Sequence, residues 1–200
     1  VLEIEVKYYL GDLKTARSLA DTWGLTWREG TPELNRIFDY PDHRLERAGQ
    51  LIRVREREDR GWLTYKAKTD TVHSFAKVRL EHQTSVDDPS ETVEILTHLG
   101  LQEVLSYHRF RASYPAGSTC IEFDHLPGGW FCEIEGDPDG IDKKVRAGEL
   151  DGAHSIVMSY PEIFRRLQEY NGTNAFSWSF DLVKDGTFRL PPADAPFWRD

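Results

Sequence analysis

Two hundred residues, 39% hydrophobic and 30% charged, suit one globular domain with or without a tail and exclude a disordered chain. No apolar run approaches the roughly 20 residues of a bilayer span, and charge enters at Glu3 where a signal peptide would be apolar, so a cytoplasmic location is expected. The net charge of −9 argues against general nucleic-acid binding, and Cys120 and Cys132 lack the spacing of a zinc site.

Residues 2–9 alternate apolar and charged side chains, the period of a strand. Residues 12–23 carry Leu13, Ala16, Leu19, Ala20 and Trp23 at helical spacing, with a stop at Gly24. Residues 34–39 form a short strand before a turn at Pro41. Residues 51–58 and 62–68 read as a hairpin turning near Asp59 and Gly61, and 77–83 as a further strand. Asp88, Pro89 and Ser90 open a helix that carries Val93, Leu96 and Leu99 and stops at Gly100. Strands follow at 106–114, 119–125 and 130–136. Pro138 to Gly140 should break the pattern before a short helix at 142–150. A last helix spans 159–170 and ends at Asn171-Gly172. The expected organisation is a domain over 1–172 and a tail over 173–200 of unassigned role, with Trp178, Phe180 and an Asp185-Gly186 turn signal. The fold class is α+β with a large antiparallel sheet.

The strands share a feature. Glu3, Glu5 and Lys7 lie opposite Leu2, Ile4 and Val6. Arg53, Arg55 and Arg57 lie opposite Ile52 and Val54; Thr64, Lys66 and Lys68 opposite Leu63, Tyr65 and Ala67; Lys77, Arg79 and Glu81 opposite Val78 and Leu80. Arg109 and Arg111 flank Phe110, Glu122 and Asp124 flank Phe123, and Glu133 and Glu135 flank Ile134. Any one such strand suits a sheet with one wet face. As a set, the faces are nearly all ionised and sort by sign. A closed sheet with helices outside would put these charges inside, which requires pairing, hydration or a ligand. Converging Arg and Lys suit a polyanion such as a phosphate chain. Carboxylates beside it call for a hard cation, Mg²⁺ or Mn²⁺. On strand parity the two thiols point to opposite sides of the sheet, so no disulfide is expected.

These motifs resemble the CYTH family, named for class IV adenylyl cyclase and thiamine triphosphatase and also called triphosphate tunnel metalloenzymes. Glu3-Ile-Glu5-Val-Lys7 resembles its Glu-x-Glu-x-Lys signature, and Asn35-Arg-Ile-Phe-Asp39-Tyr-Pro41-Asp its Tyr-Phe-Asp-Thr-Pro-Asp segment. Leu51-Ile-Arg53-Val-Arg55, Thr64-Tyr-Lys66 and Arg79-Leu-Glu81 follow in the family's order, as do Arg109-Phe-Arg111, Ile121-Glu-Phe-Asp124 and Phe131-Cys-Glu133-Ile-Glu135. Ser159-Tyr160 resembles the opening of its last helix. The resemblance implies a closed eight-stranded antiparallel tunnel, helices packed outside, that binds triphosphates with Mg²⁺ or Mn²⁺. By analogy Lys7, Arg53, Arg55, Lys66, Arg79, Arg109 and Arg111 hold phosphates, while Glu3, Glu5, Asp124, Glu133 and Glu135 hold the metal. Lys7, Arg53, Arg55 and Lys66 would serve catalysis, with Glu81 to orient water. Tyr40 replaces the usual Thr, and Gln83 stands where a second Glu often follows, which bears on a second metal.

The implied function is a metal-dependent triphosphatase for inorganic triphosphate or a small organic triphosphate. Alternatives are class IV adenylyl cyclase, thiamine triphosphatase with Trp62 or the tail as aromatic clamp, and a non-catalytic triphosphate or polyphosphate binder. The expected partner is a small triphosphate, with no nucleic acid or membrane, and a homodimer is left open. Arg57, Lys68 and Lys77 are expected at the tunnel mouth or in solvent, and His82 and His108 in surface or packing roles.

Overall fold

The computed structural model describes every residue except 59, 72, 74–75, 151–154, 185, 187, 193 and 199–200. Asp59 of the expected hairpin turn and Asp185 of the tail turn therefore lie outside the described residues. Eight strands form the frame: β1 (Leu2–Gly11), β2 (Thr31–Asp39), β3 (Gln50–Arg57), β4 (Arg60–Lys68), β5 (Lys77–Val86), β6 (Gln102–Ala116), β7 (Thr119–Leu126) and β8 (Gly129–Gly136). They run in the order β2-β3-β4-β5-β1-β8-β7-β6, and a β2–β6 pairing closes them into a barrel. Every one of these pairings is antiparallel. The 15 residues of β6 let its first part pair with β2 and its last part with β7. A two-residue strand, β9 (Ser177–Trp178), joins β6 in parallel.

The apolar faces point outward, and helices cover them. Val6, Tyr8, Phe123, Cys132 and Ile134 pack with Ala16, Leu19 and Ala20 of α1 (Leu13–Thr22). Ile141 and Val145 of α4 (Pro138–Ala147) join the same cluster. Leu96 of α3 (Pro89–His98) covers Phe38 and Val54. Full burial of each large apolar side chain contributes about 1.5–3 kcal/mol. Asp12 and Asp88 cap α1 and α3 by accepting backbone N–H bonds from their first turns.

One end of the barrel is apolar inside as well. Tyr9, Ile37, Leu105, Tyr107 and Phe131 share strand parity with the charged residues. They pack with Tyr160, Phe164 and Leu167 of α5 (Tyr160–Asn171) and with Trp178 and Trp198. The Trp198 ring stacks 3.8 Å from Tyr9, and Trp178 stacks 5.5 Å from Phe164. The tail, which also holds α6 (Phe180–Lys184) and a 3-10 turn at Pro196–Trp198, thus helps to fill this end.

Two local expectations are corrected. The helix expected from 142 begins at Pro138: Asp137 accepts from the Gly140 amide, and proline fits a first turn whose N–H needs no partner. The turn expected at Pro41 leads into a one-turn helix, α2 (Arg44–Arg47), organised by Asp39, whose carboxylate accepts the Tyr40, Leu45 and Glu46 amides. Cys120 lies opposite Glu135 and Cys132 opposite Phe123, and both thiols are free. Among the described residues no helix is long and apolar enough to cross a membrane.

Candidate active site

Strand β1 lies between β5 and β8, and this order sets the site. Glu3 pairs in register with Arg79, Glu5 with Lys77 and with Glu135, and Lys7 with Glu133. Directly opposed antiparallel residues share a face, so all of these side chains enter the barrel. The barrel holds a cavity of about 360 Å³ lined by ten basic and nine acidic side chains. A near-balanced lining within a chain of net charge −9 means that cations have been sorted inward.

The charges pair closely. Lys66 Nζ lies 2.6 Å from both Glu3 oxygens and 2.8 Å from Glu81. Lys7 Nζ lies 3.0 Å from Glu133, donates to the Met158 carbonyl at 3.1 Å and sits 4.4 Å over the Tyr160 ring. Arg111 grips Glu122, Asp124 and Glu133 together. Arg109 Nε donates to Glu33 at 2.7 Å, and its Nη1 reaches Asp124 at 3.3 Å. The Tyr160 hydroxyl donates to Asp124 at 2.7 Å.

Burial outweighs compensation at Glu3, Glu135 and Glu122, the last raised by burial and by Asp124 and Glu133 against Arg111. Burial, with Glu5 and Glu81 nearby, pushes Glu3 up to about 8 despite Lys66. Partial burial beside Glu122 and Glu5 pushes Glu135 up to about 7. Others are held down: against burial, Lys66 keeps Glu81 below the usual carboxylate range, and Lys7 and Arg111 keep Glu133 well below it. On the cationic side, burial and the adjacent Arg53 lower Arg55 to about 10. Arg53 Nε, Arg55 Nε, Arg109 Nη2 and Lys77 Nζ are buried donors with no hydrogen-bond acceptor among the described residues, although Lys77 Nζ lies 3.5 Å from the Glu162 carboxylate.

A sequence model of the CYTH domain matches residues 2–153 of this chain. The chain belongs to the CYTH family. Solved structures share the fold. A protein from Vibrio parahaemolyticus, provisionally named an adenylate cyclase, is 18% identical with a TM-score of 0.69, covering 82% of this chain and 98% of its own. A protein from Pyrococcus horikoshii is 23% identical with a TM-score of 0.64, over 82% and 98% of the two chains. A protein from Hippeastrum, provisionally named an adenylyl cyclase and described as revealing a dominant triphosphatase activity, is 16% identical with a TM-score of 0.62, over 86% and 97%. No protein with a curated description matches significantly.

The CYTH barrel brings Lys7, Arg53, Arg55, Lys66, Arg79, Arg109, Arg111, Glu3, Glu5, Glu81, Glu133 and Glu135 to one cavity. Asp124, opposite Arg111 in register, also points into the barrel but is fully buried beneath the cavity lining, where it accepts from Arg109, Arg111 and Tyr160. Lys77, expected at the mouth or in solvent, has a side chain only 13% exposed and lines the cavity. Lys68 also lines it but stays exposed, as are His82 and His108. Arg57 is half-buried, 3.8 Å from Glu33.

Two residues of this CYTH site are not apparent from the sequence. Glu33 is buried between Arg109 and Arg55, which hold its carboxyl down to about 2 against burial. Its signal is its shared parity with Asn35, hidden because Pro32 interrupts the alternation. Tyr160, whose motif marks only a helix opening, couples Asp124 to Lys7. At the end of β2 and in the α2 turn, Asp39, His43 and Glu46 bring one ligand atom each within 4.8 Å. The Asp39 oxygens are already committed to three backbone amides, so this group shapes the α2 turn.

Proposed function

We propose that the chain is a metal-dependent triphosphatase that hydrolyses inorganic triphosphate or a small organic triphosphate inside its barrel. The observation that carries this reading is the set of buried donors without hydrogen-bond acceptors among the described residues, Arg53 Nε, Arg55 Nε and Arg109 Nη2, on one cavity. Each such donor costs about 1–3 kcal/mol, more when charged, so the wall is complete only with an acceptor-rich ligand. Phosphate oxygens match planar guanidinium donors. The dominant triphosphatase activity ascribed to the Hippeastrum neighbour favours hydrolysis.

The carboxylates fit a divalent cation beside that anion. Glu3 and Glu135, at about 8 and 7, record burial and, secondarily, repulsion by neighbouring carboxylates, both of which a hard cation offsets. An all-oxygen donor set suits Mg²⁺ or Mn²⁺. Glu3, Glu5 and Glu135 would hold it, with Glu133 adjoining and shared with Lys7. We assign Asp124, occupied by two arginines and a tyrosine, to positioning those cations. When bound, the metal adds positive charge against phosphate oxygens.

The rest belongs to the chain's own residues. Arg53, Arg55, Arg79 and Arg109 fix the phosphate chain and offset charge growing on its oxygens as the terminal bridge breaks. Lys7 and Lys66 add point charges, and Arg111 contributes after exchanging one of its three carboxylates. Glu81, kept ionised by Lys66, accepts the proton of the attacking water. Water adds to the terminal phosphorus, the bridging P–O bond breaks with its electron pair going to the departing diphosphate portion, and the attacked phosphorus is released as orthophosphate.

Cyclisation of ATP has one observation in its favour. The half-buried Trp62 ring, under Arg55 and Arg57 at 4.9 and 5.2 Å, offers a purine a stacking surface. Incubation with inorganic triphosphate, ATP and thiamine triphosphate, with Mg²⁺ and Mn²⁺ separately, tests both. Orthophosphate from inorganic or thiamine triphosphate supports hydrolysis, cyclic AMP with pyrophosphate selects the cyclase, and binding without turnover selects a binding module.

A further inference from the structure

We propose that Glu33 is a positioning residue of the barrel, a fixed counter-ion that aims Arg55 and Arg109 at the phosphate chain and competes with that chain for their charge. This rests on the triphosphatase reading above. Glu33 faces inward from β2, opposite Arg109 of β6. Its side chain is only 1% exposed. Arg55 and Arg109 line the cavity, and the Glu33 carboxylate lies among their guanidinium groups beneath that lining. Its Oε2 accepts from Arg109 Nε at 2.7 Å, while Oε1 lies 3.9 Å from Arg55 and 3.8 Å from Arg57. One carboxylate thus serves three arginines.

Each guanidinium is held along part of its edge and left free along the rest. Arg109 is fixed at Nε by Glu33 and at Nη1 by Asp124, 3.3 Å away, while its Nη2 has no hydrogen-bond acceptor among the described residues. Arg55 donates from Nη2 to Gln83 at 3.2 Å and faces Glu33 with Nη1, and its Nε has no such acceptor. Planar forks held in this way present their remaining donors in one orientation, the condition for offsetting charge as it develops on a phosphate. Glu33 also lets like charges stand together. Burial, Arg53, Arg109 and Arg111 all work against the Arg55 charge, and Glu33 opposes them. The contacts at 3.8 and 3.9 Å are too long for hydrogen bonds, so towards Arg57 and Arg55 the carboxylate acts through charge alone. One side chain therefore has two separable roles. Its reach to Arg109 Nε sets orientation, and its charge weakens the pull of the arginines on any other anion.

Two variants of the full chain separate these roles, each followed by calorimetric titration with inorganic triphosphate and Mg²⁺ and by steady-state phosphate release. Glu33→Gln keeps the reach, since its amide oxygen still accepts from Arg109, and removes the charge. It should bind triphosphate on the order of tenfold more tightly, so that KM falls by more than kcat changes. Glu33→Asp keeps the charge and withdraws the carboxylate by one methylene. It should lower kcat roughly 10- to 100-fold while the affinity stays near that of the wild type. Affinity in Glu33→Gln equal to or weaker than the wild type overturns the proposal, as does a wild-type kcat in Glu33→Asp. Equal changes in both variants, the mark of a residue that only supports the fold, overturn it too. If Glu33→Gln does not fold, Glu33→Asp decides by the same criterion. In all these cases the wild type still hydrolyses triphosphate, and the functional reading stands. A wild type that does not bind triphosphate, or binds it without turnover, overturns the triphosphatase reading and this inference together.

Discussion

Arg55 and Arg57 stand two residues apart on one face of β3, yet their surroundings separate them. The Arg55 side chain is 14% exposed and Arg57 is 35% exposed. Replacing Arg55 with Ala should remove about 2–4 kcal/mol of transition-state stabilisation, a roughly 30- to 1000-fold loss in rate. Arg57→Ala should cost a few-fold at most, and Arg55→Lys should recover only part because an ammonium lacks the planar fork. Steady-state rates on triphosphate measure this; a wild-type rate in Arg55→Ala would restore the picture of a solvated sheet face. Glu3 and Glu135 give a pH prediction. Their folded values, about 8 and about 7, lie above the ordinary 4.5. Their contribution to stability is therefore fully present below about pH 4.5 and is lost as pH rises through 7 and 8. Metal must displace these protons, so Mg²⁺ affinity should climb over the same window and then level off. Calorimetry from pH 6 to 9 checks it, and a flat profile would remove both residues from the metal set. Glu5→Gln should weaken metal binding about tenfold or more while the fold survives.

At the scale of elements, the tail and α5 act as one piece. Asn171 donates to the Arg189 carbonyl and accepts from its amide, and Gln168 donates to the Ala175 carbonyl. Trp198→Ala should therefore cost about 3–5 kcal/mol, against about 1 kcal/mol for removing the α3 cap by Asp88→Ala. Urea unfolding compares them, and equal small losses would show the tail to be peripheral. The eight strands and their inward faces were legible because period-2 alternation follows directly from strand geometry. The start of α4 and the whole of α2 were hidden because Pro-Asp segments read as turns until a capping carboxylate is seen. The tail's burial was illegible because Trp178 and Trp198 find their partners on α5 and β1, far away in sequence. At the site, parity could list the charged residues, but the identity of each partner depends on strand order. Arg111 against three carboxylates is a fact of β6, β7 and β8 lying side by side.

For the whole molecule, the charged interior should make stability depend on ligand. A site saturated at 100 times its Kd adds about 2.7 kcal/mol, or roughly 5–10 °C in Tm for a chain of this size. Triphosphate with Mg²⁺ should produce that shift, and Arg55→Ala should shrink it far more than it lowers the ligand-free Tm. An unchanged shift in Arg55→Ala would place ligand binding elsewhere. Titration of the denatured chain without reductant should find both thiols free.

The β2–β6 pairing that closes the barrel also governs how the chain reaches its native state. It sets Thr31 against Arg111 and Asp39 against Gln102, contacts that bridge more than a third of the domain's sequence. Neighbours such as β3 and β4 meet across a short turn and can assemble early, whereas this seam must wait for loop closure. Until it forms, two strand edges stand open to other chains. Refolding should thus be slow, in the millisecond-to-second range of non-local β topologies, and yield should fall with protein concentration as open edges find each other.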